Sequence, residues 1–293
     1  MNERHERVKR LVAESKQIVA DAIKAHVTDD GKQLTGTCIL YSGGNDSTTL
    51  AHIFKGDADV AVHVNTGIGI EATRQFVRDT CSGWGIPLME MHPPEGSTYR
   101  ELVIAQGFPG PAHHFKMYQR LKERGLRQAR NHFVKHPRRE RVVFLAGRRK
   151  EESKRRMNIP EMERVGSTVW VSPLANWTKA DLNTYREMYD VPRNEVSDTL
   201  HMSGECLCGA FAHLGELEEI EFWYPEVVVE IRMLEDEVRA AGHPAERCKW
   251  GWGAERGMTA EEIAEAKSGA LCSSCDARFA DGTIATPMVL RET

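Results

Sequence analysis

The chain has 293 residues, of which 41% are apolar and 28% are charged, a balance that excludes a wholly disordered, collagen-like or fibrous protein. No apolar run approaches the roughly 18 residues of a membrane-spanning helix, and the opening residues MNERHERVKR contain no apolar signal segment, so we expect a cytoplasmic protein with no membrane partner. The net charge of −4 taken over the whole chain does not suggest a nucleic-acid binder, yet residues 135–156 hold ten Lys or Arg against three Glu and favour anionic ligands there.

Hydrophobic periodicity predicts strands that alternate with helices up to about residue 190. The apolar face of residues 2–27 predicts an amphipathic helix that packs on a sheet. Such alternation is typical of α/β folds, in which a parallel sheet lies between helices and ligands bind at the carboxyl ends of the strands. The predicted strands are Thr37–Tyr41, Val60–Asn65, Pro87–Met91, Val142–Ala146 and Val169–Val171, and the predicted helices are Ser47–Lys55, Glu71–Ser82, several within 99–134, and Lys179–Tyr189.

The pattern changes after Asn194, where cysteines, an acidic helix and the tetrapeptide WGWG follow. We therefore place a boundary near residue 200, with an α/β domain over residues 1–200 and a small, mostly helical, cysteine-rich subdomain over residues 201–293. The helices predicted in this second part are near Glu226–Ala241 and Ala260–Lys267.

A glycine turn between the first predicted strand and the next helix is the sharpest motif in the chain. Glycines let main-chain N–H groups approach a ligand, and the helix that follows presents its positive end to an anion. The turn is neither a Walker A loop nor a dinucleotide fingerprint, because GK[ST] and GxGxxG are both absent. It therefore predicts a phosphate-binding site, formed by Ser42, Gly43, Gly44, Asn45, Asp46 and Ser47.

These residues resemble the SGGxDS loop of the PP-loop family of adenine-nucleotide α-hydrolases. Three further segments resemble the phosphoadenosine phosphosulfate (PAPS) reductase family: HVNTGIGIEATRQFV at 63–77, GRRKEESKRR at 147–156 and SPLANWTKADL at 172–182. The resemblance covers residues 37–195 and implies that residues 1–200 form a PP-loop nucleotide-binding domain of Rossmann-like type. The C-terminal cysteines resemble those of phage and archaeal PAPS-reductase-like proteins and, more loosely, those of the PP-loop component of DNA phosphorothioation systems.

The resemblance also implies which residues hold the nucleotide. Backbone N–H groups and the hydroxyls of Ser42 and Ser47 would bind the phosphates of ATP or a related adenine nucleotide, and Asp46 would hold Mg²⁺ beside them. Asn65 stands where many members have Asp, which argues against a metal ligand at that position. Outside the loop, the implied nucleotide-binding residues are Asn65, Thr66, Gly67, Gly147 and Arg148.

The basic residues after the strand Val142–Ala146 are predicted to bind phosphate or sulfate, because Arg forms bidentate, charge-assisted hydrogen bonds with such anions. We assign Arg148 and Arg149, together with Asp46, as catalytic residues, and Lys154, Arg155 and Arg156 extend the charge. A second basic stretch, Lys116–Arg130, either extends this surface toward a nucleic acid or is an ordinary solvated helix.

The five cysteines of the last third cluster in a way that disulfides do not explain in a reducing compartment. Two close pairs, Cys206 with Cys208 and Cys272 with Cys275, are predicted to share one metal, and four thiolates suit a [4Fe–4S] cluster or zinc equally. A redox dithiol at 272–275 and cysteines without such a role are the alternatives. Cys248 is either a further participant or a buried residue.

Three functions remain open. The first is an enzyme that cleaves ATP into pyrophosphate and an adenylate to activate an acceptor for sulfur transfer, with a nucleic-acid acceptor and a sulfur-donor protein as partners. The second is a sulfonucleotide reductase that forms sulfite, although the Cys-Cys pair of cluster-bearing reductases is missing from residues 113–134 and the family's cysteine-bearing C-terminal tail is not found. The third is a nucleotide-binding module with a structural zinc.

Overall fold

The computed structural model describes residues 3–152 and 156–254, and it confirms the α/β fold. One six-stranded sheet has the order β3-β2-β1-β4-β6-β5, and all neighbouring strands are parallel except the antiparallel pair β5 and β6. The strands are β1 (Gln33–Leu40), β2 (Val60–Val64), β3 (Leu88–Met91), β4 (Glu140–Ala146), β5 (Met162–Val165) and β6 (Thr168–Val171).

Strand β5 was not predicted from the sequence. Its residues MERV mix charged and apolar side chains and lie at the sheet edge, where none of them is fully buried. A run of apolar residues predicts a buried strand, whereas a short edge strand of mixed residues gives no such signal.

Helices cover both faces of the sheet, as predicted. The first helix packs against β6 and joins β1 and β4 in one core, because Val8, Leu11 and Val19 are buried on a single face. The helices are α1 (Glu3–Ile23), α2 (Asn45–Phe54), α3 (Glu71–Trp84), α4 (Tyr99–Gln106), α5 (His114–Tyr118), α6 (Arg124–Phe133), α7 (Lys179–Tyr189), α8 (Glu195–Thr199), α9 (Glu216–Trp223) and α10 (Pro225–Ala240).

Residues within 201–254 pack on α4 and on the loop after β2. Leu207, Ile220 and Ile231 share a buried core with Tyr99 and Phe108. The proposed boundary near residue 200 stays a prediction, and the predicted helix Ala260–Lys267 lies outside the described residues. In the part of the chain that the structure describes, no helix is long and apolar enough to cross a membrane.

The segment SPLANWTKADL owes part of its pattern to helix docking. Thr178 caps α7 and forms a capping box with Asp181, whose carboxylate also binds the Arg7 guanidinium of α1 at 2.7 Å. The indole N–H of Trp177 donates to Ser15 Oγ, and that hydroxyl donates to the Pro173 carbonyl oxygen at 2.7 Å. These contacts fix α1 and α7 to each other at the edge of the core.

We expect Ser15→Ala to destabilise the fold by about 1–3 kcal/mol, because it leaves the buried Trp177 N–H and the Pro173 carbonyl without their partner. Urea unfolding of the variant measures the loss. Lys16→Ala, at the neighbouring exposed position, should change the free energy of unfolding by less than about 0.5 kcal/mol and serves as the control. Equal effects of the two changes would contradict the assignment.

Candidate nucleotide-binding site

The order of the sheet strands reverses between β1 and β4, and the two loops that follow these strands meet at this point. Leu40 at the end of β1 is paired with Ala146 at the end of β4, so the loop Ser42–Ser47 lies beside Gly147. A Cβ atom at Gly147 would lie only 3.1 Å from the Ser47 backbone nitrogen. A side chain at this position would force the two backbones apart by a few tenths of an ångström, so glycine favours their close approach. Open α/β sheets bind their ligands at such a crevice.

The Ser42–Ser47 loop is held by its own hydroxyl groups. The Ser42 N–H donates to Ser47 Oγ at 3.3 Å, and the Ser47 hydroxyl donates to the Gly44 carbonyl oxygen at 3.0 Å. Gly43 has a φ of +77°, which lets the chain turn into α2. No side chain caps the N-terminus of α2 at Gly44, so the loop presents an uncapped helix end to an anion.

Asp46 and Arg149, both predicted as catalytic, form a direct ion pair. Arg149 Nε donates to Asp46 Oδ2 at 2.7 Å, and the Arg149 side chain is only 8% exposed. Asp46 is 23% exposed and lies in the first turn of α2. The structure thus brings a carboxylate and a guanidinium together at the helix end, although they are 103 positions apart in the sequence.

Arg148 lies on the other side of β4. Its Nε donates to Ser172 Oγ at 3.0 Å, its guanidinium is 3.6 Å from the Glu163 carboxylate, and its side chain lies over the Trp170 ring. Burial lowers the pKa of Arg148 from its usual value. The structure therefore places Arg148 against β5 and β6 and does not bring it to Asp46; its catalytic and nucleotide-binding roles stay predictions, and Lys154 and Arg155 lie outside the described residues.

The strand-end residues after β2 are tied to the protein itself. The Asn65 amide donates to Glu90 Oε1 at 2.8 Å and accepts the Gly67 N–H at 3.0 Å. The Thr66 N–H donates to Glu205 Oε1 at 2.9 Å, and its hydroxyl donates to the Glu205 carbonyl oxygen at 2.7 Å. This edge of the predicted nucleotide pocket is thereby connected to the residue before Cys206.

Glu205 belongs to a buried polar cluster that the sequence analysis did not find. His63 Nε2 lies 2.9 Å from Glu205 Oε2 without hydrogen-bond geometry, and Arg74 Nε lies 4.0 Å from the same oxygen. The side chains of His63 and Glu205 are 1% and 2% exposed. No local pattern could have revealed this cluster, because its members come from β2, α3 and a loop more than 130 residues further on.

The loop that carries Cys206 and Cys208 is held at three successive points. Its carbonyl oxygens at Glu205, Leu207 and Cys208 accept hydrogen bonds from Thr66, the indole N–H of Trp250 and the hydroxyl of Tyr99, respectively. The WGWG tetrapeptide contributes a second such contact, since the Trp252 indole donates to the Phe108 carbonyl oxygen. The two tryptophans of the tetrapeptide therefore bind the loop that carries Leu207 and the loop that carries Phe108.

The two thiols of this loop differ in acidity. A hydrogen bond from the Cys208 thiol lowers the pKa of Cys206 and raises that of Cys208, and the charge of Lys122 favours a thiolate at both. Lys122 lies in a single π-helical turn, Gln119–Glu123, between α5 and α6. Tyr118, the last residue of α5, interacts electrostatically with Arg148.

Cys272 and Cys275, the other two predicted ligands, lie outside the described residues. Over residues 3–152 and 156–254, no group of three or more His, Cys, Asp or Glu side chains is arranged to hold a metal ion. The four-cysteine centre therefore stays a prediction. Cys248 is buried at 3% exposure, and its thiol donates to the His243 and Pro244 carbonyl oxygens, as expected of a packed residue.

The sequence of residues 36–210, more than half of the chain, matches the phosphoadenosine phosphosulfate reductase domain. The chain belongs to the PAPS reductase family. Its fold is the PP-loop nucleotide-binding fold, as the loop and the sheet order show. No curated protein matches the sequence.

Several solved structures are similar to this chain at low sequence identity. The PAPS reductase of Candida auris, in a phosphate complex, is 17% identical with a TM-score of 0.47, covering 68% of this chain and 92% of that one. The U34-tRNA thiolase NcsA of Methanococcus maripaludis, with its [4Fe-4S] cluster, is 16% identical with a TM-score of 0.42, covering 88% of each chain. NMN synthetase from Francisella tularensis is 15% identical with a TM-score of 0.42, covering 77% of this chain and 94% of that one.

The ion pair between Arg78 and Glu90, the carboxylate that also accepts a hydrogen bond from Asn65, predicts a pH-dependent contribution to stability. Hydrogen bonds from Arg78 lower the pKa of Glu90 to about 2, so its contribution to stability is present above the ordinary glutamate pKa and is lost as the pH falls toward 2. We expect Glu90→Gln to cost about 1–2 kcal/mol at pH 7 and less at pH 3. Urea unfolding at both pH values measures this, with exposed Glu95→Gln as the control. A loss that is the same at pH 3 and pH 7 would contradict the assignment.

Proposed function

We propose that this protein binds ATP or a related adenine nucleotide and cleaves it between the α and β phosphates, transferring the adenylyl group to an acceptor that then takes up sulfur. The observation that carries the proposal is the Asp46–Arg149 pair at the uncapped N-terminus of α2, in the crevice between β1 and β4. In this place a helix end, a guanidinium and a carboxylate that could bind a metal act on the same phosphates.

The nucleotide is held by the loop Ser42–Ser47 and reaches toward the end of β2. Backbone N–H groups of the loop and the α2 helix end bind the phosphates, and the residues Asn65–Gly67 border the adenosine. Gly147 contributes by leaving room for the β1 and β4 loops to approach each other. Because Asn65 and Thr66 already bond to Glu90 and Glu205, the pocket edge is fixed before the nucleotide arrives.

The reaction itself needs no nucleophile from the protein. An oxygen of the acceptor attacks the α phosphorus and forms a new P–O bond, while the bond from this phosphorus to the bridging oxygen breaks and its electron pair leaves with pyrophosphate. Negative charge therefore grows on the leaving group. Arg149 and the α2 helix end stabilise that charge, which makes catalysis a matter of position and electrostatics.

The donor set at the loop fits Mg²⁺. Magnesium is commonly bound by one or two carboxylates together with phosphate oxygens, and Asp46 supplies one partly exposed carboxylate in the first turn of α2. Asp46 would hold the ion, which supplies charge neutralisation at the phosphates. Asp46 contacts Arg149, so this arginine is placed to turn toward the phosphates when the carboxylate takes a metal.

The cysteine loop fits a thiolate-bound centre, a [4Fe–4S] cluster or zinc, held by Cys206 and Cys208 together with Cys272 and Cys275. Its fixed backbone and the lowered pKa of Cys206 supply a preformed thiolate on one side of the centre. When bound, such a centre would supply sulfur-binding or electron-transfer chemistry. Glu205 bonds to Thr66 at the nucleotide pocket, which holds this loop against the edge where the activated acceptor would lie.

A nucleic-acid acceptor is supported by the basic surface of α5 and the turn after it. Lys116 and Arg120 are exposed there, and Phe115 is 53% exposed beside them. Cations next to an exposed aromatic ring suit a single strand whose bases stack on the ring while its phosphates contact the cations. A sulfur-donor protein would complete the reaction as a second partner.

Sulfonucleotide reduction is the second candidate, and the family match favours it. Against it, residues 113–134, which precede the arginine-bearing segment, contain no cysteine. A nucleotide-binding module with a structural zinc would also account for the fold, but it leaves the Asp46–Arg149 pair without a chemical role.

We expect the purified protein to release pyrophosphate from ATP in the presence of Mg²⁺ and the proper RNA or DNA acceptor. The assay measures pyrophosphate from ATP and sulfite from PAPS separately, with a thiol reductant present in both. Sulfite from PAPS, with no pyrophosphate from ATP under any acceptor, would overturn the proposal in favour of the reductase.

Arg149→Met should lower the turnover for pyrophosphate release by roughly 100-fold, because a charge-assisted contact to the leaving group strengthens as charge develops. The matched control is Arg164→Met, which removes the same charge from strand β5, where the guanidinium contacts only the Gly166 carbonyl oxygen among the described residues. Thermal unfolding of both variants checks the fold. An Arg149→Met enzyme with wild-type turnover would remove this residue from the mechanism.

A further inference from the structure

A second arginine beside the nucleotide loop has no assigned role. Arg186 lies near the end of α7, which packs against α2. The residue is only 6% exposed. Its Nε and Nη2 atoms are buried and have no hydrogen-bond partner among the residues that the structure describes. A buried guanidinium with unsatisfied donors is costly, so its retention calls for a ligand.

The charged groups around Arg186 are already engaged with other partners. Asp46, Asp198 and Arg193 act electrostatically on Arg186, but Asp46 is hydrogen-bonded to Arg149 and Asp198 is bonded by Arg193 at 2.8 Å. Neither carboxylate forms a hydrogen bond with Arg186. Burial also lowers the pKa of Arg186, which shows that its surroundings do not compensate its charge fully.

Other buried polar atoms near the loop lack partners in the same way. Asn45 Oδ1, in the first turn of α2, and Ser197 Oγ, in α8, are both buried and unpaired within residues 3–152 and 156–254. Helix α8 is fixed to the loop by its cap, since the Asn194 amide donates to the Gly43 carbonyl oxygen at 2.9 Å. The loop is thus in contact with the cap of α8 as well as with Gly147.

We propose that Arg186 is a second anion-binding residue of the site and binds the terminal phosphates of the nucleotide, the part that leaves as pyrophosphate. Arg186 on α7, which interacts electrostatically with Asp46, would add a second guanidinium to that of Arg149 for binding the phosphate chain. A guanidinium suits this task because its planar donors bind two phosphate oxygens together. This inference rests on the proposed function, since it assumes that the α2 helix end binds phosphate.

The test compares ligands that do and do not carry distal phosphates. Calorimetry would measure the binding of ATP, AMP and inorganic pyrophosphate to the wild-type chain and to Arg186→Met. We expect a loss of roughly 10-fold to 100-fold in affinity for ATP and pyrophosphate, with AMP affinity changed less than about 2-fold, because one charge-assisted contact is lost. Arg186→Lys, which keeps the charge without the fork, should recover part of the loss.

Arg193→Met is the matched control, since it removes an arginine from the same end of α7 that is exposed and paired with Asp198. Thermal unfolding of all variants detects a purely structural role. Equal affinity of Arg186→Met and the wild type for ATP and pyrophosphate would overturn the inference, and so would an equal loss for AMP. A wild-type chain that binds pyrophosphate but does not cleave ATP would instead contradict the proposed function and leave this inference standing.

Discussion

The close approach of two backbones between β1 and β4 is the constraint on which the site depends. With the Ser47 nitrogen only 3.1 Å from the position of a Cβ at residue 147, the loop after β4 can lie directly against the first turn of α2. That approach brings Arg149 to Asp46, because Arg149 follows Gly147 by two residues. The Arg149 side chain is only 8% exposed and forms an ion pair with Asp46. A helix end, a carboxylate and a guanidinium are thereby brought together from segments that are far apart in the sequence. The reversal of strand order between β1 and β4 forms the crevice, and Gly147 allows the two loops that border it to approach closely.

The cysteine loop depends on this same edge of the sheet. Glu205 receives the Thr66 N–H through its side chain and the Thr66 hydroxyl through its carbonyl oxygen, so the position of Cys206 is tied to the end of β2. Trp250 and Tyr99 hold the carbonyl groups of Leu207 and Cys208. A shift of the β2 strand end would therefore move the loop that carries the thiols.

Much of this architecture could be predicted because its signals are local. Apolar runs marked β1, β2, β4 and β6, and the glycine turn marked the start of α2. Strand β5 escaped because an edge strand of mixed residues has no periodic signal. The site was predicted in its parts, Asp46 on one motif and Arg149 on another, but not their ion pair. Glu205 and Arg186 lie in no motif, and the segment that begins at His63 gives no sign of the buried carboxylate beside it: a buried polar residue becomes visible only when the fold shows what surrounds it.

The hydrogen bonding of buried polar groups differs between the contact of α1 with α7 and the surroundings of the nucleotide loop. Around Ser15 and Trp177 each buried donor meets an acceptor, and the contacts serve only to dock α1 on α7. Around the nucleotide loop the pattern is the opposite, because Arg186 and Asn45 retain buried polar atoms without partners. Natural proteins keep few such groups, since each costs free energy that folding does not return. For Arg186, whose helix packs against α2, the unpaired donors have a simple physical reason if the missing partner is an anion that arrives from outside.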